Sequence, residues 1–240
     1  MNYQNMQSNH RILITGANGQ VGWSLRHTHP SSDLLLIAPD ESQLDITRLA
    51  DIEKNIEKHS PDMIINTAAY TAVDKAETDQ EKAMQVNAEG PLLLAKTCKK
   101  ANIPLIHFST DYIFDGKKKT PYLENDTPNP LNVYGKTKLL GEKNVRDNLE
   151  KHIILRVSGV FCVHGHNFVK TMLRLAEERE ILSVVDDQIT CPTPAIDIAT
   201  VIWQIASKIF DEKNRWGTYH YCATPTISWH GFAETIINEA

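Results

Sequence analysis

Tyr134 and Lys138 stand four residues apart in the segment YGKTK, a spacing that places two side chains on one face of a helix. A phenol with a pKa of about 10 becomes a useful acid when a nearby cation stabilises its phenolate. The pair therefore predicts a proton donor, Tyr134, tuned by the ammonium of Lys138. The alternative is an exposed helix face without chemistry, and the pair alone leaves both interpretations open.

Hydroxyl and carboxyl groups follow the apolar segment PLIHF (residues 104–108), which is typical of a buried strand. Such a strand would deliver Thr110 and Asp111 to the carboxyl edge of a sheet, where open α/β folds bind ligands. These side chains could hold a substrate carbonyl, or form an ordinary turn. The long irregular segment 112–132 leads from them into the Tyr134 helix, and loops of that length are usually functional.

A glycine-rich turn, GANGQVG (residues 16–22), follows the strand RILIT and precedes an amphipathic helix. Glycine allows a sharp turn and close approach to a pyrophosphate, toward which the helix N-terminus directs N–H groups and partial positive charge. A glycine turn without ligand is the alternative. The predicted cofactor contacts in this turn are Gly16, Asn18, Gly19, Gln20, Val21 and Gly22.

Asp40 lies about 20 residues beyond the glycines, where a carboxylate usually meets the adenine ribose. An acid there disfavours a 2′-phosphate and favours NADH. Because Pro39 and Glu41 adjoin it, Asp40 could equally be a turn residue, so both NADPH and NADH remain open.

Small residues follow the predicted strand 61–66 and would let a dinucleotide lie close, although the alanines could also serve packing alone. The residues predicted to contact the cofactor here are Ala68, Ala69, Tyr70 and Thr71.

Strands and helices alternate along the chain, which predicts an α/β fold with a doubly wound parallel (Rossmann) sheet and a small C-terminal lobe. We expect a polar tail at 1–9, a dinucleotide-binding domain at 10–160 and a substrate-binding lobe at 161–240, interleaved with the last Rossmann elements. Further strands are predicted at 33–38, 152–157, 181–185 and 217–222. Helices are predicted from about residue 44 and over 75–101 (interrupted at Gly90-Pro91), 167–179, 195–210 and 228–240.

Composition excludes several classes of protein. Across 240 residues, 41% are hydrophobic and the net charge is −5, with no basic patch for nucleic acid or a membrane surface. No apolar run approaches the roughly 18 residues that span a bilayer. Four separated cysteines without a CxxC motif point to the cytoplasm. His164 and His166 lack a third ligand nearby, so we expect no metal site.

Five segments carry a resemblance to a known family, namely residues 66–77, 108–116, 130–142, 167–180 and 182–188. They resemble the extended short-chain dehydrogenase/reductases, and among these the reductases of dTDP-linked sugars, across nearly the whole chain. The resemblance implies NADPH- or NADH-dependent reduction of the 4-keto group of dTDP-4-dehydro-6-deoxy-L-mannose to dTDP-L-rhamnose. It also makes a homodimer possible.

The resemblance assigns a role to each matching residue. While the nicotinamide gives hydride to C4 of the sugar, Tyr134 would protonate the oxygen and Thr110 would hydrogen-bond that same oxygen. Lys138 would bind the nicotinamide ribose and Asp111 the sugar. Asp45 and Ile46 would lie at the adenine.

The chain also departs from its relatives. Gly159 stands where relatives usually have a tryptophan, which removes an aromatic wall from the expected substrate pocket. Ser24 stands where some relatives carry a magnesium-binding carboxylate, so we expect no metal there. Relatives continue beyond the point that matches Ala240, so we expect the C-terminal lobe to be incomplete. The alternative functions are a nucleotide-sugar epimerase of this fold and a non-catalytic subunit like that of methionine adenosyltransferase.

Overall fold

The computed structural model describes residues 10–28, 34–211 and 215–240. The polar tail predicted over residues 1–9 lies outside the described residues, and so does Asp33, the predicted start of the second strand.

The helices and strands follow one another in the alternation expected of an α/β protein. The strands are β1 His10–Thr15, β2 Leu34–Ile37, β3 Met63–Asn66, β4 Leu105–Thr110, β5 His152–Val157, β6 Val160–Phe161, β7 Ile189–Thr190, β8 Thr193–Pro194, β9 Gly217–Tyr221 and β10 Ile227–Ser228. The helices are α1 Gln20–His27, α2 Leu49–His59, α3 Val73–Ala76, α4 Gln80–Met84, α5 Gly90–Ala101, α6 Val133–Asn148, α7 Phe168–Glu178, α8 Ala195–Phe210 and α9 Trp229–Asn238.

The central sheet has six parallel strands in the order β2-β1-β3-β4-β5-β9. Every residue of β3 and β4 is buried, as expected when helices cover both faces of a parallel sheet. The chain runs outward from β1 to β2 and then returns to the other side of β1. This reversal creates a crevice at the carboxyl ends of β1 and β3, the position where such sheets bind ligands. The predicted fold class is confirmed.

Each face of the sheet has its own hydrophobic core. On one face α1 and α8 bury Leu25 and Ile202 against the strands, while on the other face α2, α5 and α6 bury Ile52, Leu94 and Val145. Because both cores are continuous with the sheet, the strand ends that carry the predicted site residues are rigidly placed.

A smaller aromatic cluster joins α7 and α9 beside the sheet. Met172 and Phe232 are buried there, and Phe161, Phe168 and Trp229 pack against them. Two short strand pairs, β6 with β8 and β7 with β10, connect this cluster to the main domain.

The structure differs from three sequence predictions about secondary structure. Residues 181–185 form no strand, and short pairings at β7 and β10 occur instead. The predicted helix 75–101 has a further break at residues 77–79, in addition to a change of helical geometry immediately before Gly90-Pro91. The chain continues from α4 into α5 through a π-helical turn, Gln85–Glu89, and Pro91 lies in the first turn of α5. A π turn lets the backbone adjust around a proline that lacks an N–H.

The helix predicted from about residue 44 begins later, at Leu49. Asp45 instead closes a turn, because its carboxylate accepts hydrogen bonds from the backbone N–H and hydroxyl of Thr47 at 2.9 and 2.7 Å.

Candidate active site

Tyr134 and Lys138 lie on a buried face of α6, with side chains only 9% and 3% exposed. The helix begins where Asn132 Oδ1 accepts a hydrogen bond from the Gly135 N–H at 2.7 Å. A Cβ on Gly135 would stand 2.2 Å from the Tyr112 carbonyl oxygen, so glycine lets this turn press against the loop after β4. The exposed helix face considered from the sequence is therefore excluded.

Lys138 is held by the neighbouring strand rather than by the phenol. Its Nζ donates a hydrogen bond to the Phe108 carbonyl oxygen at 2.6 Å. Burial penalises the ammonium and lowers the pKa of Lys138 to about 8, while the Glu142 carboxylate acts in the opposite direction. A cation thus lies next to β4, although its lowered pKa means that it loses its proton more readily than an exposed lysine.

Tyr134 keeps its proton in this environment. Burial raises its pKa above the ordinary value, a hydrogen bond with the Thr110 side chain opposes that shift, and the nearby Asp111 charge adds to it. The sequence prediction has Lys138 favour the phenolate only when it forms, which is compatible with a phenol that stays protonated before the reaction. This is the state that a proton donor needs.

Asp111 follows β4 at the same edge. Its carboxylate accepts hydrogen bonds from Ser158 Oγ at 2.5 Å and from Thr110 Oγ1 at 3.1 Å. Burial raises the pKa of Asp111, and these hydrogen bonds oppose the shift. The sheet therefore brings Thr110, Asp111 and Tyr134 together, as expected for residues near the carboxyl end of a strand.

Gly159 has a conformational role that the sequence did not reveal. Its φ is +54°, and an added Cβ would lie 2.8 Å from the Cys191 carbonyl oxygen and 3.0 Å from Thr190 Oγ1. The segment between β7 and β8 occupies the space where a side chain would begin. The missing aromatic wall is thus accompanied by a close backbone contact that only glycine permits.

Glu142 is a buried charge close to Lys138 that the sequence prediction missed. It is fully buried, and Arg156 binds it through two hydrogen bonds of 2.8 Å, Nε to Oε1 and Nη2 to Oε2. Arg146 adds a third at 2.9 Å. These cations and hydrogen bonds outweigh burial and lower the pKa of Glu142. Its place one helical turn after Lys138 was the only available signal.

Asn87, in the π-helical turn, was missed as well. Its side chain accepts from the Tyr70 N–H at 2.8 Å and donates to the Tyr70 carbonyl oxygen at 3.0 Å and to Thr137 Oγ1 at 3.2 Å. It therefore ties the loop after β3 to α6, next to Lys138.

A cavity of about 320 Å³ lies over the crevice between β1 and β3. Eight of the predicted cofactor contacts line it, and one of them, Tyr70, also packs against the small hydrophobic cluster that contains Tyr134. These eight are Gly16, Asn18, Gly19, Asp45, Ile46, Ala68, Ala69 and Tyr70.

The glycine turn is shaped by close contacts. Gly16 has φ +67°, and an added Cβ would meet the Ala68 nitrogen at 2.4 Å; a Cβ on Gly22 would meet the Gly16 carbonyl oxygen at the same distance. Gly19 is the N-cap of α1 and offers no side chain to its first-turn N–H groups. A pyrophosphate fits such an uncapped, glycine-lined end.

Other predicted cofactor contacts do not line this cavity. Val21 packs against the main core, Gly22 supports the turn, and Gln20 accepts a hydrogen bond from Asn167 at 3.1 Å. Thr71 and Asp40 are exposed and lie outside it.

The adenosine end of the cavity differs from the sequence prediction. Asp40 accepts hydrogen bonds from Ser42 Oγ at 2.6 Å and the Gln43 N–H at 3.1 Å, closing its own turn. Glu41 and Lys82 line the cavity instead. A larger cavity of about 540 Å³, between β2 and α2, contains none of the predicted site residues.

Within residues 10–28, 34–211 and 215–240, no three His, Cys, Asp or Glu side chains are grouped to hold a metal ion. Ser24 is buried and donates to the Gln20 carbonyl oxygen at 2.9 Å. In the same part of the chain, no helix has the length and apolar character needed to cross a membrane.

Curated relatives match almost the whole chain. The dTDP-4-dehydrorhamnose reductase of Aggregatibacter actinomycetemcomitans is 47% identical over 232 residues, covering 96% of this chain and 79% of that protein. The enzyme of the same name from Escherichia coli K12 is 40% identical, covering 95% of this chain and 78% of that protein.

Solved structures of proteins with the same name are also similar to this chain. A dTDP-4-dehydrorhamnose reductase from Clostridium acetobutylicum superposes with a TM-score of 0.88 at 40% identity, covering 95% of this chain and 79% of that one. The Bacillus anthracis enzyme in complex with NADP gives 0.89 at 37% identity, covering 96% and 81%. A UDP-glucose 4-epimerase from Thermus thermophilus, at 17% identity and a TM-score of 0.81, shares the fold.

The family model described as the RmlD substrate binding domain matches residues 10–240, which is nearly the full chain. This match agrees with the relatives above, with the doubly wound sheet and with the grouping of Thr110, Tyr134 and Lys138 at one strand edge. The chain belongs to the RmlD substrate binding domain family.

Proposed function

We propose that this chain reduces the 4-keto group of dTDP-4-dehydro-6-deoxy-L-mannose to dTDP-L-rhamnose, using NADPH or NADH. The observation that carries the proposal is the junction of two features. Tyr70 lines the glycine-rich cavity and also packs against the cluster that contains Tyr134, whose side chain interacts with Thr110. A cofactor in the cavity would therefore reach the proton donor.

The protein's part in the reaction is to hold and deliver one proton. The nicotinamide, when bound, supplies the hydride to C4. Tyr134 is protonated and buried, so it can give its proton to the oxygen of the former carbonyl as negative charge develops there. Thr110, whose hydroxyl meets Tyr134, can hydrogen-bond the same oxygen.

Lys138 supports this transfer after it begins. Once Tyr134 has lost its proton, the ammonium of Lys138 on the same helix face stabilises the phenolate. Because the Phe108 carbonyl oxygen holds Nζ at 2.6 Å, the charge is positioned before the reaction. We assign Lys138 the contact with the nicotinamide ribose.

The substrate side is assigned to Asp111, Ser158 and the lobe formed by residues 161–240. Asp111 and Ser158 stand beside Tyr134 with polar groups that match sugar hydroxyls. The aromatic cluster of α7 and α9 lies next to the segment that packs on Gly159. The four cysteines are free thiols, which supports a cytoplasmic location.

The decisive assay follows absorbance loss of NADPH or NADH with the 4-keto sugar nucleotide and identifies the product. We expect dTDP-L-rhamnose. Consumption of cofactor without that product, or no consumption, contradicts the proposal.

Gly19→Val tests the cofactor site separately. A Cβ at Gly19 meets only the Gly16 carbonyl oxygen, at 3.3 Å, and its φ of −74° suits any residue, so the fold should survive. The added side chain should block the pyrophosphate and abolish the rise in melting temperature that NADPH causes. Retention of that rise would place the cofactor elsewhere. Thr200→Val, on the exposed side of α8 and outside the cavity, is the control for binding.

A further inference from the structure

Two cysteines outside the proposed catalytic group, Cys191 and Cys222, lie side by side. The Ala223 N–H donates to Thr193 Oγ1 at 3.2 Å, and that hydroxyl donates to the Cys191 carbonyl oxygen at 2.8 Å. These two hydrogen bonds join the backbones next to both cysteines, and the two thiols are close enough to interact electrostatically. Both are free thiols, Cys191 half-buried and Cys222 exposed.

The pair borders the proposed substrate side. Thr190, next to Cys191, has its Oγ1 3.1 Å from Ser158 Oγ, which binds Asp111. The Cys191 carbonyl oxygen is the atom nearest to where a Cβ on Gly159 would stand. A covalent change at Cys191 would therefore occur in the segment that packs against Gly159 and Ser158.

The two thiols differ in a way that sets the order of reaction. Burial raises the pKa of Cys191 to about 12, and the neighbouring Cys222 acts in the same direction. Cys222 is the exposed thiol of the pair and Cys191 is half-buried, so peroxide reaches the Cys222 sulfur first. The thiolate is the nucleophile in thiol oxidation.

We propose that Cys191 and Cys222 form a peroxide-sensitive oxidation site that closes into an intramolecular disulfide. The Cys222 thiolate attacks one oxygen of hydrogen peroxide, the O–O bond breaks, and hydroxide leaves as Cys222 becomes a sulfenic acid. The Cys191 sulfur then attacks the Cys222 sulfur, forming the S–S bond and expelling the sulfenic oxygen. With the proton lost from Cys191, the sum is two thiols and one peroxide giving one disulfide and two waters.

The remaining cysteines provide internal comparisons. Cys98 is fully buried in the core, where burial raises its pKa to about 12. Cys162 has its sulfur 3.5 Å from Ser24 Oγ and accepts a hydrogen bond from the His164 N–H at 3.4 Å. Peroxide can reach Cys98 only through the core, and the Cys162 sulfur is engaged in hydrogen-bond contacts with Ser24 and His164. Both cysteines should therefore remain reduced under mild peroxide.

The test is peroxide treatment of the full chain, followed by thiol titration under denaturing conditions and peptide mapping without reductant. We expect the free thiols to fall from four to two and to return to four with dithiothreitol. Lys208 and Arg215 lie between the two cysteines, so trypsin separates them and only a disulfide joins their peptides.

Single variants separate the steps. In Cys191→Ser the joined peptide should be absent, and dimedone should trap Cys222 as a sulfenic acid. In Cys222→Ser, Cys191 should stay reduced, because no neighbouring thiolate has been oxidised. The proposal is overturned if the wild-type chain yields no joined peptide, if Cys222 pairs only between two chains, or if Cys191 is oxidised equally without Cys222.

Discussion

The catalytic end and the adenosine end of the proposed site are built in opposite ways. At the catalytic end Lys138, Glu142 and Arg156 are at most 5% exposed; Arg156 pairs with Glu142, and Lys138 donates to the Phe108 carbonyl oxygen. At the adenosine end Asp40 and Glu41 are exposed on a turn. Charges buried away from water interact strongly and cost much when left unpaired, whereas exposed charges are screened. Substitutions at the catalytic end should therefore have large effects on stability or turnover, and those at the adenosine end small effects on cofactor binding.

The largest effect is expected for Glu142→Gln, which leaves Arg156 without its buried carboxylate. Breaking a buried ion pair costs about 3–5 kcal/mol, measurable as a lower urea midpoint. Because Glu142 opposes the burial that lowers the pKa of Lys138, that pKa should fall further below about 8.

The matched control is Glu178→Gln, which removes an exposed pair with Arg174 at the four-residue spacing that also separates Glu142 from Arg146. It should leave the midpoint almost unchanged. Equal losses in the two variants would contradict the contrast between buried and exposed charges.

Tyr134→Phe should come next, lowering turnover by about 10²-fold or more, the usual scale for loss of a general acid. The folded state should be largely kept, because the ring remains in its cluster with Ala76 and Ala83. Steady-state kinetics and NADPH-dependent melting measure the two properties separately. Tyr219→Phe, whose hydroxyl donates to the Arg215 carbonyl oxygen at 2.7 Å outside the proposed site, is the control. Unchanged turnover in Tyr134→Phe would refute the assigned proton donor.

Acidification should lower the free energy of unfolding through the buried His107. Burial lowers its pKa well below 6.5, with the Lys138 and His152 charges acting in the same direction. The unfolded chain therefore binds a proton at His107 below about pH 6.5 while the folded chain does not, so stability falls as pH falls from there. The slope should approach about 1.4 kcal/mol per pH unit for this group.

Urea unfolding from pH 7 to pH 5 measures that slope. His107→Gln should flatten it, whereas the exposed His27→Gln should not. A parallel shift at all pH values would indicate a packing effect alone.

The smallest effect is expected at the adenosine end. Glu41→Gln removes a carboxylate that lines the cofactor cavity and should tighten NADPH relative to NADH by about two- to five-fold, the scale of exposed charge interactions. Asp40→Asn should change this ratio less, because the Asp40 carboxylate is bonded within its own turn. Calorimetric titration with both cofactors decides the comparison. A larger change in Asp40→Asn would restore Asp40 as the ribose contact.

Sequence patterns predicted much of the fold because the apolar spacing within one helix or strand reflects which of its faces is buried. The helix expected at 195–210 occurs as Ala195–Phe210, and the strand expected at 152–157 as His152–Val157. The prediction at 181–185 was wrong because a short apolar run does not distinguish a strand from a coil, and pairing partners decide. The break at 77–79 was missed because the residues on both sides favour a helix, although Thr78 and Asp79 are themselves weak helix formers.

By itself, the sequence determined the parallel sheet, the glycine turn and the pairing of a tyrosine with a lysine on one helix, since each depends on spacing along the chain. Only the tertiary structure decided which carboxylates are paired with groups from other elements and which are bonded within their own turn. Glu142 is tied to Arg156 across 14 residues, Ser158 reaches Asp111 across 47, and Asp40 is turned back on its own loop. Which charges are buried and which thiols meet depends on distances between separate elements, and spacing within one element cannot encode them.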